Sequence, residues 1–128
     1  MDQASQIISS TDLTVLSGDD SMTLPLLAIG GRGVISVVGN LVPADMKALL
    51  DAFEAGDLAG ARAWHHRLFG LCRDLLGLSS NPIPIKAALA MVGRDTGEMR
   101  LPLLPLEPAL AAKLRSVLAA YGLPVSAA

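Results

Sequence analysis

The sequence predicts an α/β fold, a parallel βαβ unit followed by an all-helical remainder, and three observations carry that prediction. Leu13-Thr14-Val15-Leu16 and Val34-Ile35-Ser36-Val37-Val38 are short aliphatic and β-branched runs of the kind that form buried strands. Apolar residues at helical spacing lie between them, so parallel pairing with a right-handed crossover is the expected geometry. After Gly39-Asn40 the apolar residues recur in threes and fours, the period of helices buried by one face.

Each element can be justified in turn. Residues 2 to 10 read as the end of a helix with Ile7 and Ile8 on its inner side. The run Leu13–Leu16 ends in the tight loop Ser17-Gly18-Asp19-Asp20, and either aspartate can cap the next helix, on which Met22, Leu26 and Ile29 recur. Gly30-Gly31-Arg32-Gly33 stops that helix and delivers the second strand. Pro43 suits a first helical position, Met46, Leu49, Leu50 and Phe53 face inward, and Gly56 supplies a left-handed stop. Asp57 caps a longer helix with the stripe Leu58, Ala61, Trp64 or His65, Leu68, Leu71 and Leu75, leaving Arg62, Arg67 and Arg73 solvated up to Gly77. Asn81-Pro82-Ile83-Pro84 offers a cap and first-turn prolines for a helix lined by Ile85, Ala88, Leu89 and Val92, ending at Gly93. Arg94 to Leu106 is an irregular, proline-bearing connection. A last helix opens at Glu107-Pro108, turns Leu110, Leu114, Val117, Leu118 and Tyr121 inward with Arg115 exposed, and ends at Gly122.

Composition narrows the functional classes. At 128 residues the length fits one compact domain, and 52% apolar against 17% charged residues excludes a charge-rich disordered tail. A net charge of −2 gives no global footprint for nucleic acid or an anionic membrane. The longest apolar stretches, such as Leu24 to Ile29 and Ala87 to Val92, fall far below the roughly 18 residues that span a bilayer. Met1 to Gln6 lacks the basic and apolar regions of a signal peptide, and the lone Cys72 allows no intrachain disulfide, so a cytoplasmic setting is expected.

The candidate sites differ in how much chemistry they offer. Gly30-Gly31-Arg32-Gly33 has a phosphate-loop composition, but it follows a helix and opens a strand, the reverse of the order such loops use. His65 and His66 are adjacent, point about 100° apart on a helix and cannot chelate one ion; no metal site is expected. Lys47, Lys86 and Lys113, the only lysines, fall on helices as solvated or snorkelling groups. Ser17-Gly18-Asp19-Asp20 is more informative, because it closes a strand at the end where α/β proteins place ligands. Ile35-Ser36-Val37 lies beside it at the end of the second run, and together they form half of a pocket wall with no nucleophile, general base or ligand set.

The succession Leu16-Ser17-Gly18-Asp19-Asp20, Gly30-Gly31-Arg32-Gly33-Val34-Ile35-Ser36-Val37, Asn81-Pro82-Ile83-Pro84-Ile85-Lys86 and Arg100-Leu101-Pro102-Leu103 resembles the C-terminal portion of the dihydrodipicolinate synthase family, also called 4-hydroxy-tetrahydrodipicolinate synthases. Four motifs in order with matching gaps cover the chain from Asp2 to Leu123. The resemblance implies that residues 1–56 are the last two βα units of a (β/α)8 TIM barrel and residues 57–128 its appended C-terminal helical domain. It implies a class I lyase that binds pyruvate as a Schiff base and condenses it with aspartate semialdehyde for lysine and diaminopimelate synthesis, with no cofactor.

The family's catalytic lysine lies just before the position matching Met1, so no catalytic residue is carried over and the chain alone is expected to be inactive. What is carried over is substrate-binding: Gly18 lining the pocket, the backbone of Ile35 touching the pyruvate moiety, and Val37 nearby. The implied partners are pyruvate and other copies of the chain, a homo-oligomer, or the missing N-terminal half; neither nucleic acid nor membrane is implied. Alternatives are a non-catalytic half-barrel interaction module, a sialic acid lyase or keto-deoxy sugar acid aldolase relative sharing barrel and lysine, or a reading frame begun at an internal methionine.

Overall fold

A computed structural model of the protein describes residues 1–125. The chain separates into two compact units, Met1–Phe69 and Gly70–Ala128, where the length suggested one; the last three residues of the second lie outside the described residues.

The first unit opens with α1, Asp2–Ser10, whose Ile7 and Ile8 are half-buried. Thr11 turns the chain out of the helix in an extended conformation, with its hydroxyl donating to the Ile7 carbonyl at 2.8 Å. A 3-10 turn, Asp20–Met22, then leads into the short α2, Thr23–Ala28. Asp19 is the cap that starts this turn, accepting from the Ser21 amide at 3.1 Å. The chain leaves α2 through Gly30, at φ +107°, with the Gly31 amide bonded back to the Leu26 carbonyl at 2.9 Å.

The two expected strands are absent among the described residues. The runs Leu13–Leu16 and Val34–Val38 form no ladder and meet in a single parallel bridge, Ser17 to Val34. Three backbone bonds make up that contact: Arg32 N–H to Val15 O at 2.9 Å, Ser17 N–H to Gly33 O at 2.8 Å and Ile35 N–H to Ser17 O at 2.8 Å. A parallel pair is the weakest sheet unit, and two short runs supply too few slanted bonds for a continuous ladder. The second run also ends early, since Val38 starts a 3-10 turn, Val38–Asn40, held by Asn40 and Leu41 amides that return to Val37 and Val38 carbonyls.

From there the unit is helical as the spacing predicts. Pro43 sits in the first turn of α3, Pro43–Glu54, where its missing N–H is no loss. Met46 and Leu49 are buried, Leu50 and Phe53 half-buried, and Gly56 ends the segment at φ +78°. The helix packs against α2 and the Val38–Asn40 turn, so that Leu26, Leu27, Val38, Leu41, Val42, Met46 and Leu49 form the core of the unit. Asp57 then starts α4, Leu58–Leu76, accepting from the Gly60 amide at 2.9 Å. One stripe residue departs from expectation: Leu58, in the first turn, is 55% exposed, and the buried face begins at Ala61.

The second unit takes in the end of α4, with Leu71, Cys72 and Leu75 buried, and two further helices. These are α5, Ile83–Met91, and α6, Pro108–Tyr121, which pack together through Ile85, Ala88, Leu114 and Leu118 at the buried positions. Asn81 does not cap α5: Pro82 holds the cap position with no side-chain bond, the prolines fixing φ in place of a hydroxyl or carboxamide acceptor. Gly122 ends α6 in the left-handed region at φ +96°. Arg115, expected on the solvent face, is half-buried and engaged with a neighbour. Lys86 is tied down rather than solvated, its ammonium donating to Asp95 at 2.8 Å, and Asp95 also accepts from the Gly97 amide at 3.0 Å. The Lys86 bond, then that from Gly97, holds the Asp95 carboxyl below its ordinary value.

Two outcomes follow. Leu114→Asp strips helical circular dichroism from the chain, since an unpaired carboxylate at a fully buried position costs several kcal/mol, while Lys113→Asp on the exposed face leaves the spectrum nearly unchanged. For Asp95, the folded state binds the proton less readily than the unfolded chain. Its contribution is therefore present above the unfolded carboxylate value of about 3.9 and disappears as pH falls through the lower folded value. Urea midpoints of the protein and of Asp95→Asn should differ at neutral pH and converge on acidification.

Candidate substrate pocket corner

The first unit brings the two segments singled out by the sequence to one place. Ser17 is buried and is the hinge of the corner: its amide and carbonyl are both spent on the second run, and its hydroxyl donates to the Asp19 carbonyl at 2.7 Å. That leaves Gly18 at the exposed apex, where a side chain would meet nothing within 4 Å. Ile35, bonded through its amide to the Ser17 carbonyl, is 73% exposed, a large apolar side chain turned out of the core. Val37 follows, half-buried. Ile35 is thus bonded to the residue next to Gly18, and Val37 follows two residues along the same run.

Beneath it lies a feature that the sequence left undecided. Of the two aspartates that could cap, Asp19 does so at the surface, whereas Asp20 is buried at 3% exposure and points to the other run. Its carboxylate accepts from the Ser36 hydroxyl and from the amides of Val37 and Val38, both at 3.1 Å. Ser36 in turn accepts from the Gly39 amide at 2.6 Å. Neither Asp20 nor Ser36 was distinguishable as functional from the chain alone; the available signal was an Asp-Asp pair after one apolar run and a lone hydroxyl within the next.

The remaining candidates do not converge on this corner. Gly30–Gly33 is a connector in which the Gly30 and Gly31 amides stop α2 while the Arg32 amide and the Gly33 carbonyl pair with Val15 and Ser17. An open cleft of about 330 Å³ lies beside it, lined by Leu27, Gly31, Arg32, Phe53 and Glu54. His65 and His66 meet edge to face at 5.2 Å, and burial, then the neighbouring His66, lowers the pKa of His65. Among the described residues no three His, Cys, Asp or Glu side chains group as metal ligands, and no helix is long and apolar enough to cross a membrane. Lys47 is exposed and paired with Asp51, Lys86 with Asp95, and Lys113 is exposed.

Comparison with known proteins defines the class. The chain belongs to the dihydrodipicolinate synthetase family, whose model matches residues 1–121. It is 52% identical over 123 residues to the 4-hydroxy-tetrahydrodipicolinate synthase of Nitratidesulfovibrio vulgaris strain DP4, a match covering 94% of this chain and 42% of that protein. Among solved structures, the dihydrodipicolinate synthase of Aquifex aeolicus superposes with a TM-score of 0.92 at 43% identity, over 98% of this chain and 43% of that one. The chloride-inhibited dihydrodipicolinate synthase of Acinetobacter baumannii, solved in complex with pyruvate, gives 0.87 at 33% identity, over 96% and 43%. The chain thus spans well under half the length of the relatives it matches.

Two glycines of the first unit make a contrast. A methyl at Gly31 would lie 2.8 Å from Leu26 Cγ and 2.9 Å from its carbonyl oxygen, so Gly31→Ala should cost about 1–3 kcal/mol in urea unfolding. Gly18→Ala, in open space, should stay within about 0.5 kcal/mol of the parent.

Proposed function

We propose that this chain forms the C-terminal part of a 4-hydroxy-tetrahydrodipicolinate synthase, in which residues 1–56 complete a (β/α)8 barrel and residues 57–128 form the appended helical domain, residues 126–128 lying outside the described ones. The observation that carries the reading is the agreement of family and geometry. In this chain, 52% identical to such a synthase, the Ile35 amide bonds to the Ser17 carbonyl next to Gly18, and Gly18 and Ile35 are both exposed, which supports the reading. A solved relative at 33% identity holds pyruvate, and a 2-oxo acid is the ligand proposed for this corner too.

In this reading Gly18 leaves room for the substrate, the Ile35 backbone contacts the pyruvate moiety, and Val37 closes the wall beside it. The reaction is Schiff-base formation between pyruvate and a lysine, enamine generation, and addition to aspartate semialdehyde, in the service of lysine and diaminopimelate synthesis. The complete enzyme acts in the cytoplasm as a homo-oligomer. The Schiff-base lysine belongs to a part of the family fold that these 128 residues do not contain. Lys47, Lys86 and Lys113 are unsuited to the role, since a nucleophilic amine needs a desolvated pocket or a neighbouring cation, and here the amines meet carboxylates or water.

Trapping with borohydride tests this. Pyruvate and borohydride should leave the chain alone unlabelled, whereas co-expression with the remaining N-terminal segment of the family fold should restore one pyruvyl adduct, located on that segment. Stoichiometric labelling of this chain by itself, read by peptide mass spectrometry, is the result that would overturn the proposal.

A further inference from the structure

The bridge at Ser17 ends at Ile35, and the backbone beyond it must find other partners. Two successive amides, Val37 and Val38, turn the same way and form the kind of concave donor pair that gathers anions. In this protein the anion is internal. One oxygen of Asp20 takes both amides, the other takes the Ser36 hydroxyl, and Ser36 passes the constraint to the Gly39 amide. The carboxylate is 3% exposed while Ile35, one residue before the clamped segment, is 73% exposed. The group that holds the segment is thus hidden, and the residue presented to a ligand is not.

We infer that Asp20 is the positioning residue of the pocket: resting on the reading of Gly18 and Ile35 as its walls, the buried carboxylate sets the height of the Ile35–Val37 backbone opposite Gly18. Asp20 does not touch the substrate. It acts through Ser36 and two amides, and it lies only two residues from Gly18 along the chain, so one short segment carries both the open apex and the anchor of the facing wall. Asp19, its neighbour, cannot substitute, because its carboxylate is committed to Ser21 at the surface.

Amide hydrogen exchange on the full chain tests the clamp. Asp20→Ala should speed exchange at Val37 and Val38 by about tenfold or more with Leu49 in α3 unchanged, and Ser36→Ala should speed Gly39 while leaving Val38 slower than in Asp20→Ala. Unchanged protection at Val37 and Val38 in Asp20→Ala overturns the clamp, and if that variant fails to fold, unchanged protection of Gly39 in Ser36→Ala does so. The positioning role is read in the complex with the N-terminal segment: Asp20→Asn should raise the pyruvate KM about tenfold with kcat within about threefold, and Asp20→Glu should recover part of that loss. An equal fall in kcat with KM unmoved overturns positioning. Absence of any adduct in the unaltered complex instead removes the pyruvate reading, and the positioning role with it, while the exchange result still decides the clamp.

Discussion

A carboxylate taken out of water must be met by donors or it unfolds what surrounds it. In the first unit that condition falls on Asp20, and the way it is satisfied organises the corner. Hydrogen bonds to a charged group contribute about 1.5–3 kcal/mol each, more than the neutral backbone bonds of the neighbouring bridge. The Ser17 bridge brings the two runs side by side, but it stops at Ile35 and leaves the Val37 and Val38 amides to find partners elsewhere. Asp20 answers both and adds the Ser36 hydroxyl, so the 3-10 turn at Val38 begins from a fixed point and hands a set direction to α3.

The helical elements were the legible part of the fold, and the reason is physical. Helices are built from local bonds and one-sided burial, both visible as spacing: Met46 and Leu49, Leu68, Leu71 and Leu75, Leu114 and Leu118 all lie buried where the period put them. Strands depend on partners elsewhere, and two runs with β-branched composition make one bridge in place of a ladder. Smaller departures share that origin. Leu58 belongs to the right stripe but stays 55% exposed, Arg115 is half-buried where the stripe put it in solvent, and Lys86 finds its carboxylate nine residues along in an irregular loop.

For the site, the position of Ser17–Asp20 after an apolar run pointed to a ligand corner, and the motif order pointed to the family that the comparisons then showed. Asp19 and Asp20 could not be told apart in the sequence, since either type serves as a cap. Their difference lies in partners elsewhere in the chain: one side chain caps at the surface, and the other is buried against the Ser36 hydroxyl and the Val37 and Val38 amides. Thr23 offers a similar lesson: its buried Oγ1 has no partner among the described residues, a polar atom that no spacing would have placed there.

The bonds from Asp20 span only 16 to 18 residues of chain. Closing a loop of that size is a modest entropic demand, and each doubling would add only about 0.6 kcal/mol. The corner is therefore a self-contained cassette, in which apex, facing wall and anchor are written on one continuous stretch between Ser17 and Gly39. Such a stretch can change as a block, by recombination or by grafting, without its parts losing register, because the group that aligns them travels with them.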